Sequence, residues 1–187
     1  QGPDPQLGLD ADLRPEGKQG PLVRSLASYA EYYRRWSVQW ESQALLRAEP
    51  VAGDPDLGRR FVDLIEPLRH PACGLDDDAV REIRRIKARV EAERLPRGAD
   101  KALHTKLGPG GLADVEWTVQ LLQLEHARDV EGLRTTSTLG ALRAALDAGL
   151  LSDEDAASLR NAWELASRIR DAATLHRGKA VDVLPRE

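Results

Sequence analysis

The sequence predicts an all-α fold: a helical bundle of about six helices, preceded by one short strand. Three observations predict it. Apolar residues recur at spacings of three and four through most of the chain. Helix-capping residues stand at the head of these stretches. Strict apolar–polar alternation occurs only near the N-terminus. At 187 residues the chain can bury one sizeable core, and no internal repeat or low-complexity tract interrupts it.

Residues 1–21 hold four of the 11 prolines and four of the 15 glycines. Within them Leu7, Leu9, Ala11 and Leu13 alternate with Gly8, Asp10 and Asp12, a strand pattern with two acids opposite the leucines. A single strand needs a partner for its backbone groups, so its sheet is expected in a part of the protein outside this sequence. Residues 23–49 then read as the longest helix, with Leu26, Tyr29, Tyr33, Trp36, Trp40, Ala44 and Leu45 on one stripe. Asp54-Pro55 is a cap followed by proline in the first turn, and His70-Pro71 closes that helix. A third helix starts near Asp76 and runs to Pro96 through Val80, Ile83, Ile86 and Val90. The segment RGADKALHT is a loop. It leads to Lys106-Leu107-Gly108-Pro109-Gly110-Gly111 and an amphipathic helix from Leu112 to about Arg128. Ser137 caps a fifth helix stopped by Gly149, and Ser152 with Asp155 opens the last, ended by Arg177-Gly178.

The net charge of −4 argues against nucleic acid or an anionic membrane as the main partner. No apolar run approaches the roughly 20 residues that span a bilayer. The single cysteine, Cys73, excludes an internal disulfide framework and suits a reduced, cytoplasmic setting. Methionine is absent even at position 1, so a piece of a longer protein is expected.

The glycine-rich stretch is the organising feature. It lacks the Gly-Lys-Ser/Thr ending of a phosphate cradle, although glycines at a helix start can present N–H groups to an anion. A tight loop packed against another element is the preferred reading. Asp114 and Glu116 fall in the first turn of the helix, about 200° apart around it if both are helical, so they cannot clamp one metal ion together unless the helix starts after Asp114. One is expected to brace the loop and the other to face a neighbour or a ligand. Asp10 and Asp12 with Arg14 suit Mg²⁺ and a phosphate, set against the alternative of a solvated acidic strand face. The tyrosines and tryptophans of 29–40 are at core spacing, with Tyr32 off the stripe. The four histidines show no metal-ligand spacing, and the arginines of 81–89 alternate with acids as on a solvated helix face.

Several stretches in order resemble one family. LDADLRPEGKQGPLVRSL, YYRRWSVQWESQALLRAEPVAGD and KLGPGGLADVEWTVQLLQL are similar to bacterial glutamine synthetase adenylyltransferases. REIRRIKARVEAERLPRGAD, LRTTSTLGALRAA and LHRGKAVDVLP resemble the C-terminal, adenylylating half. The resemblance implies that residues 1–21 end a nucleotidyltransferase domain and that 22–187 form the helical domain following it. It implies ATP as substrate, Mg²⁺ as cofactor, a tyrosine of glutamine synthetase as target, and PII-type signal proteins as regulators. Aligned on Leu13-Arg14-Pro15, one metal-binding carboxylate falls on Asp10, with Asp12 at a variable position. The Gly-Ser motif and its two aspartates are absent, so the chain alone is expected to be inert. Tyr33, Trp40, Gln43, Lys106, Gly108, Gly110, Gly111, Asp114 and Glu116 match the helical domain's recurring motif. Arg14, Lys106, Gly110, Gly111 and Glu116 are the candidate nucleotide-binding residues.

Overall fold

The computed structural model describes residues 10–184. Seven α-helices occupy the described residues: α1 (Leu26–Trp36), α2 (Gln39–Leu45), α3 (Pro55–Arg69), α4 (Asp77–Arg94), α5 (Leu112–His126), α6 (Thr138–Asp147) and α7 (Asp153–Arg177). The fold is all-α. The side chains of Ser25, Asp54, Asp76, Ser137 and Ser152 each accept a backbone N–H of the first turn they precede. Gly178 ends α7 in the left-handed conformation, φ 65°, which glycine adopts without a Cβ clash.

Two expectations for the N-terminal part of the chain change. The long helix over 23–49 is two helices, because Ser37 and Val38 are extended. The buried Glu41 carboxylate accepts the Val38 N–H at 3.0 Å and the Tyr32 hydroxyl at 2.9 Å, and so restarts the helix. Redirected in this way, α2 packs on α3, α4 and α5, while Trp36 is left 67% exposed and Trp40 42% exposed. These two tryptophans are therefore not core. The strand is the second. Leu7 and Leu9 lie outside the described residues, and Asp10 to Leu13 form no strand. Instead Arg14 Nε donates to the Gly20 carbonyl at 3.2 Å, its Nη1 donates to the Ala11 carbonyl, and residues 11–20 fold into a knot of turns.

Helix α5 is the axis of the bundle. On one side Val115 and Val119 meet Leu133, Ala141, Leu142 and Ala145 of the α6 region, with Leu159 and Trp163 of α7 beside them. On another side Leu124, with Trp117 and Leu121, meets Leu46 and Ile83 at α2 and α4. The helix is thus covered on more than one face rather than amphipathic, since two layers need its surface. Its buried Gln123 donates to the Leu133 and Thr135 carbonyls, both at 2.7 Å, and fixes the approach to α6. A smaller cluster joins α1 to α3, where Tyr29 stacks near Tyr33 and meets Phe61 edge-on at 5.2 Å.

Candidate functional site

The glycine-rich loop is held from inside. His104, 6% exposed, sits at its base, and its Nδ1 accepts the N–H groups of Lys106 at 3.3 Å and Leu107 at 3.1 Å. A ring nitrogen that accepts has no hydrogen, so the proton of the neutral imidazole is on Nε2. Gly108 N–H donates to the His104 carbonyl, Gly111 to Gly108, Leu112 to Thr105, Ala113 to Lys106 and Asp114 to Gly111. Gly110, at φ 72°, donates to Asp114 Oδ2 at 2.8 Å. From Lys106 to Asp114 every backbone N–H therefore has an acceptor in the chain. The loop has no amide left for an anion. Gly108 and Gly111 serve close packing, a Cβ on Gly111 standing 2.7 Å from the Thr105 carbonyl oxygen, whereas Gly110 has open space around it and serves the left-handed turn.

Asp114 and Glu116 part as the helical geometry requires. Asp114 braces the loop and takes the Lys87 ammonium of α4 at 2.5 Å, while Lys87 also reaches Glu91. Burial works to raise the Asp114 pKa, but Lys87 and the Gly110 N–H outweigh it, and the carboxyl lies below its ordinary value. For Lys87 burial works downward, and the hydrogen bonds to Asp114 and Glu91 outweigh it upward. One lysine of the arginine-rich α4 stripe is therefore a strut between helices. Glu116 faces the other way, 3.5 Å from Arg47, whose Nη1 also bonds the Thr138 hydroxyl.

Beside Glu116 a cleft of about 860 Å³ opens between α2, α4 and α5. Gln43 and Gln120 form its floor, 5% and 7% exposed, with Gln43 Nε2 donating to Gln120 Oε1 at 2.7 Å. Trp40, His104, Lys106 and Glu116 line it as well, and Leu13 reaches it from the N-terminal segment. The C-terminal tail closes one end: Thr105 N–H donates to the Asp182 carbonyl at 2.8 Å and Leu184 N–H to Leu103 at 2.9 Å, while Arg170 holds the Asp182 carboxylate at 2.6 Å.

The remaining predicted residues lie elsewhere. The Arg14 guanidinium is engaged in its own segment, with Asp12 at 3.9 Å. Asp10 and Asp12 are exposed; Asp10 Oδ1 accepts the Asp12 N–H at 2.9 Å, and Asp12 pairs with Lys18 at 3.2 Å. Among the described residues no cluster of three or more His, Cys, Asp or Glu side chains is arranged to hold a metal ion. Two exposed carboxylates tied up in this way do not by themselves fit Mg²⁺, which needs near-octahedral oxygen ligation. No described helix is long and apolar enough to cross a membrane.

Comparison with known proteins agrees with the motif order. Residues 1–63 match the family described as glutamate-ammonia ligase adenylyltransferase, and residues 84–187 match GlnD PII-uridylyltransferase. A bifunctional glutamine synthetase adenylyltransferase/adenylyl-removing enzyme of Streptomyces coelicolor is 68% identical over 182 residues, 97% of this chain. The corresponding protein of Mycobacterium leprae is 59% identical over the same length. The chain belongs to the glutamine synthetase adenylyltransferase family. It spans 18% of the length of these relatives.

Within this family frame, the cleft gathers Trp40, Gln43, Lys106 and Glu116, four of the residues that carried the resemblance. Sequence reasoning missed the loop-capping role of His104, the Arg47 partner of Glu116 and the Asp182 tail. The last two depend on contacts between distant segments, while His104 reaches amides only two and three positions on; none of the three has a periodic signature.

Proposed function

We propose that this chain is the helical domain of the adenylylating half of an enzyme that transfers AMP from ATP to a tyrosine of glutamine synthetase, in a system regulated by PII-type signal proteins. The observation that carries the reading is the convergence of Trp40, Gln43, Lys106 and Glu116, from stretches more than 60 positions apart in sequence, on one cleft with the N-terminal segment at its rim. In this reading the catalytic domain precedes the helical one, with the boundary near residue 21. Asp10 is one carboxylate of a metal-binding set completed outside this chain, and the chain alone transfers no AMP. Lys106 and Glu116 face the nucleotide from the cleft wall. Gly110 and Gly111 do not line the cleft themselves but set the loop that carries Lys106 and Leu107 to its wall, without offering amides, and Arg14 orders the segment that joins the two domains.

The test uses the complete enzyme with α-labelled ATP and glutamine synthetase as acceptor. Lys106→Ala is expected to lower AMP transfer at least tenfold, the loss of about 1.4 kcal/mol of transition-state stabilisation. MgATP is expected to slow hydrogen exchange across residues 106–116. Wild-type transfer by Lys106→Ala, together with unchanged exchange, would refute the reading. It would favour instead an interaction domain without nucleotide contact, for which the fully occupied loop amides and the exposed Trp36 and Val38 already offer a rationale.

A further inference from the structure

Unfavourable features gather around one side chain near the N-terminus. Arg24 Nε is the one buried side-chain polar atom among the described residues without a hydrogen-bond partner. Arg24 stands directly before Ser25, the N-cap of α1, so its guanidinium sits at the positive end of that helix. Its Nη2 is taken by the Glu16 carboxylate. Glu16 in turn is the only non-glycine residue among the described ones with a positive φ, 64°. An orphaned N–H, a cation at a helix start and a left-handed glutamate each disfavour this arrangement. Strain of this kind persists only where the surroundings enforce it, and it collects at switches.

From Arg24 a relay of contacts runs to the break between α1 and α2. Arg24 Cζ lies 5.6 Å from the centre of the Tyr32 ring, within cation–π range. The Tyr32 hydroxyl donates to the buried Glu41, whose other oxygen takes the Val38 N–H. Leu13 and Pro15 lie over Tyr33, Glu41 and Leu45 with a gap of only about 30 Å³ between them. The sequence itself does not ask for the break. No proline or glycine occurs from Leu26 to Leu45, and Leu26, Tyr29, Tyr33, Trp36 and Trp40 follow at alternating steps of three and four, the seam of one continuous helix. Only Ser37 and Val38 depart from helical backbone, at ψ 140° and 160°. Of the two helices α1 is the more lightly held: it buries Tyr33 alone, whereas α2 buries Glu41, Ser42 and Gln43.

We propose that the segment from Leu13 to Arg24 is a latch that keeps α1 and α2 bent, and that its release lets residues 26–45 run as one straight helix. With Glu16 on Arg24, the guanidinium is held over Tyr32, Tyr32 holds Glu41, and Glu41 holds the N–H that starts α2. Release of Glu16 frees the guanidinium to reach water, and Glu41 loses both its cover and its tyrosine. The Val38 N–H then bonds the Arg34 carbonyl one turn back, as in any helix. Because α2 stays packed in the bundle, α1 swings as an arm of 11 residues, about 16 Å long. Leu13 borders the cleft between α2, α4 and α5 as well as the gap beneath the latch, so release also opens the mouth of that cleft. The device consists of contacts within this chain and holds whether or not the cleft takes part in AMP transfer.

The experiment is double electron–electron resonance on the 187-residue chain. One spin label goes on the native Cys73, exposed between α3 and α4, and the other on Arg35→Cys, at an exposed position of α1. In this parent the bent distance predominates. Glu16→Gln/Tyr32→Phe removes the ion pair and the hydroxyl at nearly constant size, and is expected to raise a second, distinct distance about tenfold. Glu16→Gln alone, at an exposed turn that spares the fold, raises the same distance less, as does about 1 M sodium chloride on the parent, which screens the pair. Adding Gln39→Pro abolishes the second distance, because proline suits the first position of α2 but forbids a helix running through it. A distance distribution unchanged by Glu16→Gln and by salt overturns the proposal. So does a second distance that survives Gln39→Pro, since α1 would then be detaching rather than joining α2.

Discussion

Replacing Gly108 by alanine tests the close-packed reading of the loop more sharply than replacing Gly110, although Gly110 has the unusual backbone. Gly110 sits at φ 72°, but a Cβ there meets nothing within 4 Å. Gly110→Ala therefore meets only the left-handed conformational penalty, about 1 kcal/mol. Gly108 has no positive φ, yet its Cβ would stand 2.5 Å from the His104 carbonyl oxygen and closer still to that of Lys101. Both obstacles are backbone, so no side-chain rotation relieves them. The loop must move by roughly an ångström, which costs about 1–3 kcal/mol as overpacking. The shift also breaks the Gly108 N–H bond to His104 and strains the two amides on His104 Nδ1, each worth about 1 kcal/mol. The total is about 3–4 kcal/mol. At 2–4 °C per kcal/mol for a chain of this size, Gly108→Ala lowers Tm by about 10 °C and Gly110→Ala by about 3 °C. Thermal unfolding by circular dichroism reads both. Equal shifts, or the larger one at Gly110, would refute the claim that close packing rather than backbone conformation requires glycine at position 108.

Further outcomes follow from other contacts. Lys87→Met should cost no more than about 1 kcal/mol, since both partners are about one-third exposed, but should speed hydrogen exchange at the Gly110 amide. The same strut should depend on pH at both ends. The Asp114 pKa is lowered from 3.8, so its contribution is complete above that value and disappears as pH falls through the lowered one. The Lys87 pKa is raised from 10.5, so its contribution is complete below that value and disappears as pH rises through the raised one. Glu116→Gln should change stability by under about 1 kcal/mol, because its pair with Arg47 is partly exposed and 3.5 Å long; denaturant titration checks this, and lost activity in the complete enzyme would then report function rather than folding. Leu124→Ala, at a fully buried point between α5 and α2–α4, should cost about 2–5 kcal/mol with the denaturant m-value unchanged. Burial lowers the His70 pKa below 6.5, with Glu66 opposing, so stability should fall as pH drops from about 7 to 5, a decline that shrinks in His70→Gln.

What the sequence determined by itself is local. The caps at Asp54, Asp76, Ser137 and Ser152 and the stop at Gly178 are each decided within one turn of chain, where side-chain and backbone chemistry act alone. So is the divergence of Asp114 from Glu116, which follows from helical pitch. The motif order likewise placed the chain in its family. The tertiary structure decided the rest. The break at Ser37-Val38 has no proline or glycine to announce it and depends on Glu41 being buried where Tyr32 can reach it. Trp36 and Trp40 have core spacing along a continuous helix, and lose it only because the break turns α2 toward α5. The cleft joins residues from α2, α4, the glycine loop, α5 and the tail, so its buried glutamine pair spans 77 positions. Periodicity reports which face of an element is apolar; which faces meet, and which polar groups they leave unpaired, is fixed only when the helices pack.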